Sequence, residues 1–200
     1  MLAYLVLLLA VLSRVLPHAF HEVSWNFTAL GGGLLFFGSR MNSQMNSQTS
    51  ASRSSNSRVA LKLASAVAIL MATDYYLTVY AYQYPFHFRG YIVTWLWYAA
   101  VCLLGMGLLR KTTFLRVAAG VFASATSFFL ISNFVVWAGG HLYPRTLAGL
   151  GDCYIAAIPF YRNDLVSTAL TAGALFGLPV LAARIAEAIH TAQSNNLPTA

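Results

Sequence analysis

Apolar residues in this chain fall into runs separated by short polar breaks. The first covers Leu2 to Leu16 and stops at Pro17; a shorter second covers Phe27 to Gly38 and contains Gly31, Gly32 and Gly33. Three more run from Val59 to Tyr80, Tyr91 to Leu109 and Phe114 to Ala138, and a last from Leu165 to Ala183. About 20 mostly apolar residues are needed to cross ~30 Å of hydrocarbon. The pattern therefore predicts an all-α integral membrane protein, residues 1–187, with six transmembrane helices in one compact bundle. The apolar run around Asp152, Cys153 and Tyr154, which stops at Pro159, predicts a short extra helix before the last span. Residues 40–58 carry a tandem MNSQMNSQ and then Ser-rich sequence without an acid, the pattern of a disordered loop. Residues 188–200 read as a short polar tail.

Finer features refine this picture. The glycines of the second run permit close backbone approach between helices, as does the stripe that pairs Ala119 with Ala123 and Gly120 with Ser124. Trp95, Trp97 and Tyr98 near the start of the fourth run read as an interfacial aromatic belt. Pro179 predicts a kink in the last span. No Lys or Arg precedes the first apolar run and no small-x-small site follows it, so an uncleaved first span is expected.

Composition points the same way. Hydrophobic residues make up 58% of the chain and charged ones 8%, against about 45–50% and ~25% in soluble domains. The net charge of +7 would suit a nucleic acid in a soluble protein, but here the bases sort by loop. With the amino terminus in the cytoplasm, Arg40, Arg53, Arg58, Lys62, Arg110, Lys111, Arg116 and Arg184 fall inside. Arg14, Arg89, Arg145 and Arg162 fall outside, offset by Glu22, Asp74, Asp152 and Asp164, while Glu187 lies inside. This positive-inside bias predicts a multi-pass protein of the cell inner (plasma) membrane with both termini cytoplasmic and no nucleic-acid partner. Cys102 and Cys153 lie in apolar surroundings and are expected to be buried thiols rather than a disulfide.

The unusual polar residues gather at the outer ends of the runs, most densely between Ser132 and Asp164. Asn133 and Trp137 are four apart and share a helix face with Thr126. An amide and an indole on one stripe can bind a planar polar solute, or can hold two helices together. Asp74 lies inside a run, where a carboxylate costs about 2.5–3.5 kcal/mol at the centre on insertion scales. It reads either as a functional group or as an acid paired with an outer arginine. Asp164 shares a face with Ser167, Thr168 and Thr171 at the start of the last span. Asn163 or Asp164 is a plausible N-cap, and the helix amino terminus there can hold an anionic solute group. Gly139-Gly140 frees the turn through His141, Tyr143, Pro144 and Arg145 to act as a gate, a plain loop being the alternative.

Together, Asn133, Trp137, Asp74, His141, Tyr143, Tyr154, Asn163 and Asp164, with Asn26 and His18 from the first outer loop, form the candidate substrate-binding set. His18, His21 and Glu22 lack the HExxH order and a fourth ligand, so surface histidines are expected and no metal or cofactor is assigned. Nucleophile-elbow, Walker and paired-acid motifs are missing from the sequence, so the chain is not expected to be an enzyme.

Several segments carry a resemblance: SRVLPH and NFTALGG near the start, TDYYL, SNFVVW, and YPRTLAGL followed by CY, AIPF and Asn163. Together they resemble a family of uncharacterised bacterial six-span membrane proteins. That family is in turn similar to the substrate-binding S components of energy-coupling-factor (ECF) transporters. The resemblance implies a subunit that captures a vitamin-like small organic solute at the outer face. It would work with a transmembrane coupling subunit and ATPase subunits that supply ATP hydrolysis. The Met-His start of the nickel and cobalt members is replaced by Met1-Leu2, which points away from that subtype. Competing expectations are an intramembrane enzyme acting on a lipid or quinone, and a non-transporting membrane scaffold.

Overall fold

The computed structural model describes residues 1–14, 27–43 and 52–195. Among these, α1 is Leu2–Ser13, α2 Leu30–Ser43, α3 Ser52–Tyr76, α4 Phe88–Leu108, α5 Phe114–Gly139, α6 Leu147–Ala172 and α7 Leu178–Asn195. A π-turn over Leu77–Ala81 extends α3, and another over Gly173–Gly177 joins α6 to α7. The described residues contain no strand.

Four helical stretches are long and apolar enough to cross a membrane: Asn56–Ala81, Phe88–Leu108, Phe114–Gly139 and Leu147–Gln193. Helices α1 and α2 have 12 and 14 residues, about 18 and 21 Å of rise, short of the ~30 Å hydrocarbon layer. Of the six expected spans, four are of span length among the described residues, where α1 and α2 form a short antiparallel pair. The pair ends where its side chains turn to polar partners. The Ser13 Oγ accepts the Ala29 N–H at 2.9 Å, and Arg14 reaches across to Asp74.

Helix α2 is the centre of the bundle. Every residue from Leu30 to Ser39 is buried, and the helix packs on α1, α4, α5 and α6. Glycine makes this possible, because small residues let helices approach closely where lipid offers no hydrophobic drive. A Cβ on Gly38 would collide with the Cys102 carbonyl of α4, and one on Gly105 would collide with the Leu35 carbonyl of α2. Gly31 and Gly32 lie against Thr168 and Thr171 of α6, and Gly33 against Ala10 of α1. Leu7, Leu34, Leu35, Leu70 and Cys102 fill the core around them. Both cysteines are free and buried.

Several expectations are corrected. The chain does not break at Pro159: α6 runs through it, so there is no separate short helix before the last span. Proline removes one backbone hydrogen bond and its ring crowds the preceding turn, yet membrane helices tolerate it because neighbouring helices and local adjustments re-satisfy the freed groups. The resulting helix, Leu147–Gln193, has 47 residues, about 70 Å, more than twice the hydrocarbon thickness. It carries a π-turn over Gly173–Gly177, just ahead of Pro179. Helix α3 already starts at Ser52 and α2 extends to Ser43, so both ends of the stretch read as a disordered loop are helical.

Trp95, Trp97 and Tyr98 are buried in the core, not set in an interfacial belt. Helix α4 starts at Phe88, which carries Trp95 about 10 Å inside the bundle. The exposed aromatics at that end are Tyr75, Tyr76, Tyr80, Tyr82, Tyr84 and Phe88. On α5, Gly120 and Ser124 are buried whereas Ala119 and Ala123 are exposed, so only half of the small-residue stripe is a packing surface.

Candidate functional site

Asp74 and Asp164 are two of the carboxylates that lie within span-length helices, and their surroundings differ. Asp74, near the end of α3, is 2% exposed. Its Oδ1 accepts from Arg14 Nη2 at 2.5 Å and from the Tyr98 hydroxyl at 3.3 Å, and its Oδ2 accepts from Trp95 Nε1 at 2.9 Å. Arg14 Nη1 has no hydrogen-bond acceptor among the described residues. One turn on, the Thr78 hydroxyl meets the Asp74 carbonyl at 2.7 Å and the Tyr91 hydroxyl at 2.5 Å. These bonds tie the end of α1 to α3 and α4. Of the two meanings open to Asp74 from sequence, the geometry is that of an acid paired with an arginine. Its oxygens are already occupied by protein donors.

The second carboxylate, Asp164, lies on α6. It is not at a helix start: α6 begins at Leu147, where the Thr146 hydroxyl accepts the Gly149 N–H at 3.1 Å. An N-cap role for Asn163 or Asp164, and an anion site on free N–H groups there, are therefore excluded. Asp164 instead lines a cleft of about 310 Å³ between α5 and α6. Phe128, Phe129, Phe160 and Tyr161 supply aromatic walls, and Ser132, Asn133 and Ala157 complete the lining. Its backbone carbonyl accepts from Ser167, but no described side chain donates to its carboxylate.

The walls of this cleft are held from behind. Tyr161 is fixed by a 2.9 Å hydrogen bond with the Thr126 hydroxyl, and its ring lies 4.8 Å from that of Phe129. Tyr154 packs on the other side of Phe129 at 5.3 Å, and its hydroxyl donates to the Leu130 carbonyl at 2.8 Å. The Asn133 amide donates to the Phe129 carbonyl at 2.8 Å, and no described residue donates to its side-chain oxygen. Phe128 touches Trp97 at 4.7 Å, and Trp97 touches Tyr98 at 5.8 Å, so a chain of rings runs from the cleft to the Asp74 cluster.

The sequence-derived set therefore divides. Asn133 and Asp164 come together in the cleft, with Tyr154 buttressing its wall and Asn163 half-buried beside Asp164. Trp137 does not join Asn133: its indole donates to the Pro144 carbonyl at 3.0 Å and so clamps the α5–α6 turn. His141, exposed, and Tyr143, half-buried, lie in that turn away from the cleft lining. Asn26 and His18, like His21 and Glu22, lie outside the described residues. Sequence reasoning missed Phe128, Phe129, Phe160 and Tyr161. Their only signal was aromatic residues on two runs joined by a short turn, without the register that opposes them.

Residues 1–189 of the chain match a family described as a family of unknown function (DUF6580). No curated protein and no solved structure matches the chain.

Proposed function

Since the chain belongs to this family of unknown function, DUF6580, we propose from its geometry that it is a membrane-embedded protein that binds a small organic solute in the α5–α6 cleft. The observation that carries the reading is Asp164, a carboxylate inside a span-length helix that lines a cavity and accepts no hydrogen bond from any described side chain. An ionisable residue in a membrane helix is costly and ordinarily faces a cavity, a partner or a substrate path. Asp74 supports the contrast, because it meets the same cost with protein donors alone.

The cleft also has the make-up of a ligand site: mostly apolar, with a few converging polar groups, and at the small end of the ~300–1,000 Å³ range. Aromatic walls suit a ring, and the free oxygens of Asn133 and Asp164 suit donors carried on it. Uptake of the solute, with a coupling subunit and ATPases as partners, extends this reading on the strength of the segment Ala157 to Phe160 and Asn163 resembling ECF S components.

The test is a thermal-shift screen of the purified protein against a broad panel of vitamins, cofactors and metabolites. At least one compound raises the unfolding temperature, and the shift shrinks in both Asn133→Ala and Asp164→Asn. A protein that ignores the whole panel contradicts solute binding and favours a scaffold.

A further inference from the structure

Resting on the solute-binding reading of the same cleft, we infer that the solute is a small organic cation, an aromatic amine or quaternary ammonium, with its positive centre on Asp164. The lining contains a carboxylate and no basic side chain. Four of its residues are aromatic: Phe128, Phe129, Phe160 and Tyr161. Ring faces carry negative quadrupole charge and attract cations within about 6 Å of the centroid. A carboxylate without a counter-charge in a low-dielectric site is the other half of such a recognition device, since a buried charge that lacks a partner is strongly unfavourable.

An inorganic cation fits less well. Hard cations such as calcium take about 6–8 oxygen ligands, whereas this lining sets one carboxylate, one amide and one serine hydroxyl among hydrocarbon and rings. Even with the Ser132 oxygen, whose proton goes to the Phe128 carbonyl at 2.6 Å, these oxygens fall well short of that number. The free Asn133 oxygen gives an ammonium a second acceptor beside Asp164. An anionic solute would bring its charge against Asp164, which excludes vitamins whose ring carries only a carboxylate or phosphate.

A charge series tests this in the full-length protein held in lipid nanodiscs. Tryptamine, tryptophol and indole-3-acetate share one ring and differ in side-chain charge; benzyltrimethylammonium is a permanent cation without an N–H. Titration calorimetry is expected to rank tryptamine at least about tenfold tighter than tryptophol, with no heat from indole-3-acetate and with binding of benzyltrimethylammonium. Asp164→Asn lowers tryptamine affinity by roughly 10- to 100-fold, the loss expected for one charge-assisted hydrogen bond. Should that variant fail to fold, the ranking on the wild type decides alone. Tryptophol or indole-3-acetate binding as tightly as tryptamine, and weakened by Asn133→Ala, overturns the cation and leaves the solute site standing. No binding by any of the four overturns the cation as well, and the broader screen then decides the fate of the cleft.

Discussion

Asp74 and Asp164 are both acids in span-length helices of one bundle, and the difference between them lies wholly in their partners. Around Asp74, one guanidinium, one indole and one phenol converge on two oxygens, so the charge serves to join α1, α3 and α4. Around Asp164, the nearest structure is an aromatic-walled cleft and the carboxylate is left to whatever enters it. An acid in a membrane helix is thus not in itself a sign of function. What matters is whether the protein has already spent its oxygens. Trp97 stands between the two regions and touches the rings on both sides.

The sharpest way to break this contrast is to remove each charge in turn. Asp74→Leu or Arg14→Leu alone leaves its partner buried and uncompensated, and is expected to cost about 3–5 kcal/mol of unfolding free energy. The double variant Arg14→Leu with Asp74→Leu recovers part of that loss, because it removes the stranded charge but leaves the Trp95 N–H and the Tyr98 hydroxyl without their acceptor. Asp164→Asn leaves stability unchanged or raises it. Denaturant titration in mild detergent reads all four, and an equal loss for Asp164→Asn and the Asp74 variant would erase the distinction.

The rigidity of the core beneath the two sites gives the next largest effect. Gly38→Val drives a side chain into the Cys102 carbonyl and is expected to cost about 1–3 kcal/mol or more. Gly107→Ala faces open space and stays within about 0.5 kcal/mol of wild type. Thermal unfolding of the pair checks this.

Within the Asp74 cluster, Trp95→Phe strips from Oδ2 its donor among the described residues and should cost about 1–3 kcal/mol. Tyr98→Phe costs less, since its 3.3 Å bond shares Oδ1 with Arg14. Smallest is Trp137→Phe, which frees the Pro144 carbonyl in an exposed turn and should stay below about 1 kcal/mol. A larger effect at Trp137, together with weakened solute binding, would return that residue to the site.

Much of this was legible in the chain and some was not. Hydrophobic runs marked the span-length helices because each must carry its own apolar surface through lipid. The gathering of polar residues between Ser132 and Asp164 was visible, and so was the possible pairing of Asp74 with an arginine. Asn133 and Asp164 were named separately, but their meeting depends on the antiparallel register of α5 and α6, which periodicity does not encode. Trp137 and Tyr154 looked available and are instead committed to backbone carbonyls, a choice made by tertiary packing. Pro159 misled because a proline that ends a helix in water is absorbed inside a membrane bundle. The short central α2 had a signal in its three glycines, which mark close contact but not which neighbours make it.

Native mass spectrometry of protein released from its own membranes most directly tests whether the α5–α6 cleft holds a small solute. The wild type is expected to carry a non-lipid small-molecule adduct that is lost in Asp164→Asn. A bare mass for the wild type, or the same adduct retained in Asp164→Asn, would contradict it.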